Sequence, residues 1–245
     1  MTPLIKEGER LDDLERSGLH IIQDPSRFCF GMDAVLLSGF VTVKKGERVT
    51  DLCTGSGIIP LLLSAKTEAA SITGIEIQEE IADMARRSVE LNGLFPRVRI
   101  ITGDLRTAGA AGETGSMDVV TCNPPYMKAG SGIQNPERAL AIARHELSCT
   151  LEDAVREAAR LLRNGGRAAF VYRPHRLTEL FSLMRKYRLE PKRLKTVHPF
   201  RDREANMVLI EAVRGGGSFL RVEAPIIVFS SPGVYTPEIR EIYGY

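Results

Sequence analysis

The tetrad Asn123, Pro124, Pro125 and Tyr126 combines residue types that can hold a planar amine. It follows the apolar run 117–122, which is typical of a short buried strand. Because two consecutive prolines fix φ and remove two backbone donors, a carbonyl in this segment is left free to accept. The side-chain oxygen of Asn123 is a second acceptor, and Tyr126 adds a flat aromatic face. These groups fit a planar –NH2 group; the alternative is a proline-rich turn in which Tyr126 only covers the core.

A second candidate segment, 51–57, begins with Asp51 and contains Gly55 and Gly57. It follows a short strand-like run and leads into an apolar segment that reads as a helix, with Pro60 in the first turn. Glycines let the backbone approach a ligand closely, and a helix N-terminus presents unpaired N–H groups to it. A dinucleotide fingerprint requires a further glycine where Pro60 stands, which weakens a nicotinamide interpretation.

Acidic residues lie at the ends of the next two predicted strands. Glu76 lies near the end of the strand 71–77 and 19 positions after Gly57, where a carboxylate binds the ribose in βαβ nucleotide units. A third strand, 98–102, runs into Gly103 and Asp104. In an open parallel sheet the strand C-terminal ends line one crevice, so we expect these acids and Asn123 to meet there. For Glu76 alone, the alternative is an ordinary solvated acid at a strand end.

The alternation of strand and helix patterns predicts an α/β fold: a doubly wound, mostly parallel sheet of seven strands whose last two strands pair as a hairpin. One helix, 151–162, follows a capping-box pattern at Thr150 and Asp153. Residues 1–47 are expected to form an extension packed on the main domain, 48–245. Within it we predict a hairpin in which segments 19–23 and 27–30 pair around the turn 24–26, and a helix to Phe40 capped by Asp33.

Bulk composition is that of an ordinary globular protein: 245 residues, 43% hydrophobic, 26% charged and net charge +2. Neither a secretory leader nor a membrane-spanning apolar stretch is visible, so a cytoplasmic location is expected. The four cysteines are far apart and form no Cys-x-x-Cys pair. A zinc site or a disulfide framework is therefore not predicted, and reduced thiols are expected.

Charge is unevenly distributed, because segment 185–203 contains eight Lys or Arg residues and only two acidic ones. Such clustering favours a polyanion partner, although a solvated helix and loop would show the same composition. Segment 127–143, after the tetrad, is long enough for a functional flap that closes on substrate. Arg144 and His145 lie behind it; His145 is equally interpretable as a structural helix cap.

The run 51–126 resembles class I S-adenosylmethionine-dependent methyltransferases with an Asn-Pro-Pro-Tyr motif, which methylate exocyclic base amines or the amide of glutamine. Their glycine loop, Asp-x-Gly-x-Gly-x-Gly, is matched at Asp51, Gly55 and Gly57 and departs at Cys53. Nearly the whole chain is similar to the bacterial tRNA-Val adenine-N6 methyltransferase family, through segments 28–37, 143–146, 198–200 and 235–238. Known members of that family methylate the adenine beside the anticodon.

This resemblance implies roles for individual residues. Asp51 would hold the methionine amino group of the cofactor directly or through water, Glu76 the ribose hydroxyls and Asp104 the adenine amine. Gly31, Met32 and Asp33 would close over the methionine end. The predicted cofactor-binding residues are Gly31, Met32, Asp51, Thr54, Gly55, Gly57, Glu76, Ile77, Asp104, Leu105 and Asn123. The predicted catalytic residues are Asn123, Pro124, Pro125 and Tyr126. The predicted RNA-binding residues are Arg144, His145, Arg185, Lys186, Lys192, Arg193, Lys195, Arg201 and Arg203.

The expected partners are S-adenosylmethionine and tRNA or another RNA, with neither a metal nor a membrane, and the sequence leaves the oligomeric state open. The nearest rival is a glutamine methyltransferase acting on a protein, since the same acceptors would hold an amide –NH2. Resembling enzymes of that kind carry a larger helical N-terminal domain. DNA-adenine methylation would require a target-recognition domain that is not visible. A non-catalytic, cofactor-dependent RNA-binding protein is the alternative from another functional class.

Overall fold

The computed structural model describes residues 4–27, 29–107, 109, 112–124 and 149–244. The helices are α1 (Met32–Phe40), α2 (Ile58–Lys66), α3 (Glu79–Leu91), α4 (Leu151–Leu161), α5 (Leu177–Lys186) and α6 (Pro237–Tyr243), with a 3₁₀ turn at Pro174–Arg176. The first strands are β1 (Arg10–Asp13), β2 (His20–Gln23), β3 (Arg48–Leu52), β4 (Ser71–Glu76), β5 (Val98–Thr102), β6 (Met117–Cys122) and β7 (Leu162–Tyr172). The remaining strands are β8 (Leu189–His198), β9 (Met207–Arg214), β10 (Arg221–Val222), β11 (Ile226–Ile227), β12 (Phe229–Ser231) and β13 (Val234–Tyr235).

The central sheet has the strand order β10-β8-β9-β7-β6-β3-β4-β5, and β11 also pairs with β8. Only β9 runs antiparallel to its neighbours, which confirms the predicted hairpin of β8 and β9. The sheet has nine strands in the described residues, not seven, because β10 and β11 add two short parallel strands along β8. Two-residue strands carry no periodicity that a sequence can reveal.

The strand order reverses between β3 and β6. From β3 the chain adds β4 and β5 on one side of the sheet, and it then adds β6 and β7 on the other side. Such a reversal opens a crevice at the carboxyl ends of the strands, where α/β proteins bind their ligands. The glycine segment follows β3, Glu76 ends β4, and Asn123 follows β6. The topology therefore brings the three predicted segments to one place.

Helices cover both faces of the sheet and bury two separate apolar clusters. On one face, Leu61 and Leu63 of α2 pack in the same cluster as Leu36 of α1. On the other, Ala154 and Ala158 of α4 lie fully buried against the sheet. A buried leucine contributes about 1.5–3 kcal/mol relative to an exposed one. Helix α1 packs in the larger cluster. The division of the chain into an N-terminal extension, 1–47, and a main domain stays a prediction.

The predicted N-terminal hairpin is wrong in its pairing. Strand β2 pairs antiparallel with β1, with Arg10 opposite Gln23, instead of with segment 27–30. Strand β1 has too few alternating polar and apolar residues to be predicted from the sequence. Segment 24–26, in contrast, has the composition of a turn, which favoured a hairpin at that place. The predicted cap is also wrong: Gly31 is the N-cap of α1, and Asp33 accepts from the N–H of Ala34 inside the helix.

Helix boundaries elsewhere follow local chemistry. At the start of α4, Thr150 and Asp153 form the predicted capping box, in which each side chain accepts the other's backbone N–H. At the end of α3, Gly93 adopts φ +62°, a left-handed conformation that terminates a helix. None of the helices in the described ranges is long and apolar enough to cross a bilayer.

Candidate functional site

Asn123 lies directly after β6, and its side-chain oxygen is a buried acceptor without a partner among the described residues. Oδ1 is shielded from solvent, and no donor in the described part of the chain reaches it. A buried acceptor without a partner costs about 1–3 kcal/mol, so this atom favours a ligand that brings an N–H or O–H donor. Pro124, which follows, is buried. Pro125 and Tyr126 lie outside the described residues.

Asp51, at the end of β3, is fully buried. Its Oδ2 accepts from the Thr54 hydroxyl at 2.6 Å, and its Oδ1 accepts from the Thr121 hydroxyl at 2.6 Å. Burial raises the pKa of this carboxyl to about 7, against the lowering effect of the two hydroxyl donors. A buried carboxylate whose partners among the described residues are both neutral is suited to an external cation.

Thr121 was missed as a site residue by the sequence analysis. It is directly opposite Asp51 in the β3–β6 register, and it is fully buried. Its spacing from Asp51 in the sequence gives no signal. Only the order of the strands, with β6 beside β3, reveals that the two side chains share a face.

Glu76 is 2% exposed, which excludes the alternative of a solvated acid at a strand end. Its Oε2 accepts the backbone N–H of Gly55 at 3.0 Å, and its Oε1 accepts the backbone N–H of Gln78 at 3.0 Å. The carboxylate thus ties the glycine segment to the start of α3. It is anchored in a fixed orientation, which prepares it to accept from a diol without further ordering.

The glycine segment needs left-handed backbone at three positions. Gly55 has φ +57°, Gly57 has φ +84° and Cys53 has φ +56°. Gly57 is the N-cap of α2, and a β-carbon there would lie 3.1 Å from the β-carbon of Ala85. A left-handed cysteine is uncommon, and it stands where the resembling family has its first glycine. Cys53 therefore adopts the left-handed conformation that a glycine would adopt more easily at this position, at a conformational cost.

Three cysteines that are distant in sequence meet beside this turn. Sγ of Cys53 lies 3.9 Å from Sγ of Cys149, and the thiol of Cys122 contacts that of Cys53. The contact with Cys122, followed by burial, raises the pKa of Cys53 well above its ordinary value, and burial raises that of Cys122. Thiols of raised pKa stay protonated near neutral pH, so these groups serve packing and are poor nucleophiles.

Gly74, in β4, supports the Asp51 network from the neighbouring strand. A β-carbon there would lie 2.8 Å from Oγ1 of Thr54 and 2.8 Å from Cδ1 of Ile100. We expect Gly74→Ala to lower the free energy of unfolding by about 1–3 kcal/mol, because the added methyl overpacks a closed core. Urea denaturation measures this. The control is Gly217→Ala, where no atom lies within 4 Å; equal loss in both variants would contradict the prediction.

Of the other predicted cofactor residues, Ile77 follows β4, and Asp104 and Leu105 follow β5. Asp104, after β5, forms an ion pair with Arg106 at 2.6 Å, and hydrogen bonds from Arg106 lower its pKa. Leu105 is buried, whereas Ile77 is 36% exposed directly after Glu76. Gly31 and Met32 begin α1, which packs beside α2. In the described ranges no group of His, Cys, Asp or Glu side chains is arranged to hold a metal ion.

Four of the eight basic residues in this segment form ion pairs with acidic residues, a feature that the sequence analysis did not anticipate. The pairs are Arg185 with Glu190, Lys186 with Glu152, Arg193 with Glu211 and Glu223, and Lys195 with Glu238. Lys192 donates to the carbonyl of Gly217. Arg201 and Arg203 lie exposed in the turn between β8 and β9, and neither forms an ion pair with a described residue. Arg144 and His145 lie outside the described residues.

Comparisons with known proteins find methyltransferases. The model of the family described as "Methyltransferase small domain" matches residues 30–189. A protein from Aeromonas hydrophila named tRNA1(Val) (adenine(37)-N6)-methyltransferase is 29% identical over 89% of this chain and 89% of its own length. A protein of the same name from Porphyromonas gingivalis is 29% identical over 85% and 84%. The crystal structure of a predicted O-methyltransferase from Agrobacterium tumefaciens superposes with a TM-score of 0.70 at 26% identity, over 86% of this chain and 95% of that one.

Proposed function

Since the chain belongs to the methyltransferase small domain family, we propose that it transfers a methyl group from S-adenosylmethionine to N6 of an adenine in RNA, specifically in tRNA near the anticodon. The observation that carries the proposal is the buried, unpaired Oδ1 of Asn123 beside the Pro124 segment. The names of the Aeromonas and Porphyromonas relatives support the substrate class.

The acceptor pair favours an amine over a hydroxyl as the methyl acceptor. An exocyclic amine has two N–H donors, one for Oδ1 of Asn123 and one for the carbonyl of Pro124. A hydroxyl has a single O–H and would leave one acceptor unpaired in a dry site. This count separates our proposal from the O-methylation named for the Agrobacterium protein.

In the proposed mechanism the two acceptors orient the amine. Its nitrogen lone pair is delocalised into the base, so it is a poor nucleophile in water. With both N–H groups held by Asn123 and Pro124, the lone pair points away from the protein acceptors toward the activated methyl group that the cofactor supplies. Both hydrogen bonds strengthen as the nitrogen gains positive charge, so they stabilise mainly the transition state. The proton can leave to solvent after transfer, and no shifted general base is needed.

Three carboxyl groups fit the proposed cofactor. Asp51 would accept from the methionine ammonium, Glu76 from the ribose hydroxyls and Asp104 from the adenine amine. Their surroundings support this division: Asp51 lacks a cationic partner among the described residues, and Glu76 is already oriented by two backbone N–H groups. The ion pair with Arg106 keeps Asp104 charged at neutral pH. Tyr126 would stack on the target base, contributing about 1–3 kcal/mol.

The proposed role of Asp51 makes cofactor affinity depend on pH. The pKa of Asp51 lies at about 7 in the folded protein, so its carboxyl is neutral below that pH and anionic above it. Only the anion attracts the ammonium group, so affinity should rise as pH rises toward 7, with a limit of about tenfold per pH unit. Calorimetric titration between pH 5.5 and 7.5 measures it. Asp51→Asn should bind weakly at every pH; a wild type with flat affinity would contradict the role.

We place the proposed RNA contact at Arg201 and Arg203, which are exposed and form no ion pair with a described residue. We expect Arg201→Ala with Arg203→Ala to weaken tRNA binding and to lower the slope of log affinity against log salt by about 2, because each lost phosphate contact removes about one released counterion. The control is Arg185→Ala with Lys186→Ala, which removes the same charge from residues already paired with acids. Equal effects in the two double variants would assign the contact to the whole basic segment.

The substrate is tested by incubating the purified protein with S-adenosylmethionine carrying a labelled methyl group and total tRNA from a host that lacks this enzyme. Digestion and chromatography then identify the labelled nucleoside. The proposal predicts N6-methyladenosine. Label found only in ribosomal RNA would show that the substrate is ribosomal RNA and not tRNA. Label found only in glutamine of a protein would overturn the proposal in favour of the glutamine methyltransferase.

A further inference from the structure

One edge of the central sheet is open and apolar. Strand β10 stands first in the strand order, with β8 on one side and no strand of the described residues on the other. Around it Phe219 is 73% exposed, Val222 64% and Leu220 37%. Exposed sheet edges are usually protected by charge or cover, because their free backbone groups pair readily with another strand. An apolar edge of this kind indicates an interaction surface.

The backbone groups of this edge point outward at alternate residues. The N–H of Glu223 donates to the carbonyl of Leu194 in β8 at 2.8 Å, so the backbone groups of residue 223 point toward β8. By the alternation of a strand, Leu220, Val222 and Ala224 direct their N–H and C=O groups away from β8. Pro225 has no N–H and ends this ladder. The backbone groups of residues 220, 222 and 224 are therefore available to pair with one short strand, while those of 221 and 223 face β8.

We propose that this edge binds the same edge of a second copy of the chain, antiparallel, about a twofold axis at Val222. In that register Val222 faces Val222, Leu220 faces Ala224, and Arg221 faces Glu223. Opposite charges thus meet twice, once on each side of the axis, and apolar side chains meet on the other face of the strand. A parallel pairing in register would set Arg221 against Arg221 and Glu223 against Glu223. The charge order therefore selects the antiparallel dimer.

The charged side of the interface is already assembled in the single chain. Arg221 lies 2.8 Å from Glu223, which also pairs with Arg193 at 2.7 Å. Across the proposed axis these residues extend into one network containing both copies. Strands β8, β9 and β7 separate β10 from β6, so the dimer leaves the candidate site uncovered. The inference goes beyond the proposed function and does not depend on it.

The test is the mass of the full chain in solution, measured by light scattering and sedimentation equilibrium at protein concentrations on the order of 10 µM. The dimer predicts twice the chain mass of 27.0 kDa. Val222→Glu should give a single-chain mass, because it sets two carboxylates face to face on the axis while leaving the backbone pairing with β8 intact. A wild type of single-chain mass would overturn the proposal.

Charge reversal then tests the register and separates it from contacts inside one chain. Arg221→Glu alone and Glu223→Arg alone each create like-charged pairs across the axis, and each should be monomeric. Mixing the two variants should restore a dimer, because every cross-axis pair again has opposite charges. Circular dichroism confirms that each variant is folded. A mixture that stays monomeric, or single variants as dimeric as the wild type, would overturn the proposed interface.

Discussion

Replacing Asn123 with alanine should lower kcat for RNA methylation by about 10²–10³-fold and leave the Kd for S-adenosylmethionine nearly unchanged. The substitution removes the unpaired Oδ1, the proposed acceptor whose hydrogen bond would strengthen as the amine gains charge. It also removes a buried polar atom without a partner, so the folded protein should lose little stability. Single-turnover kinetics and calorimetric titration of the cofactor measure the two quantities separately.

The matched control for this variant is Asn206→Ala, which truncates an exposed asparagine just before β9. Its kcat and cofactor Kd should both equal those of the wild type. If Asn123→Ala instead lost cofactor affinity in proportion to its rate, Asn123 would belong to the cofactor pocket. The amine-binding assignment would then be wrong.

The opposite signature is expected for Glu76→Ala. Loss of the carboxylate removes the proposed ribose contact and frees the backbone N–H groups of Gly55 and Gln78. Hydrogen bonds to a charged group contribute about 1.5–3 kcal/mol, which corresponds to an increase of about ten- to a hundredfold in the Kd for S-adenosylmethionine. At saturating cofactor, kcat should fall far less than in Asn123→Ala. Equilibrium titration and saturation kinetics measure these effects.

Glu80→Ala provides the control, since Glu80 is four residues away and its side chain is 70% exposed. It should bind the cofactor as the wild type does. Unchanged affinity in Glu76→Ala would reduce Glu76 to a structural anchor of the glycine segment, a role that its two backbone contacts alone could fill.

Strand ends and their chemistry were predictable from the sequence because both are local. Apolar runs that end near Asp51, Glu76 and Asn123 predict strands with polar residues at their ends. In an open α/β sheet the carboxyl ends of the strands line one crevice, so these residues were expected to lie together. The capping box before α4 was equally local. These features need no knowledge of which strands are neighbours.

Features that depend on neighbours were not predictable in this way. The hydroxyl of Thr121 reaches Asp51 only because β6 lies beside β3. Cys53 and Cys149 are distant in sequence, yet their thiols lie 3.9 Å apart. The basic segment appears strongly cationic in sequence, but acids from other elements pair with Lys186, Arg193 and Lys195. In each case the partner comes from a different element, and composition within one segment cannot reveal it.

The most direct test of the account is the distance between the target amine and Asn123 in a crystal structure with S-adenosylhomocysteine and an adenine-containing anticodon stem-loop. The account predicts the N6 atom about 2.7–3.2 Å from Oδ1 of Asn123, with its second N–H directed at the carbonyl of Pro124. An adenine bound with N6 facing solvent, or with Oδ1 of Asn123 bonded to another protein group, would contradict it.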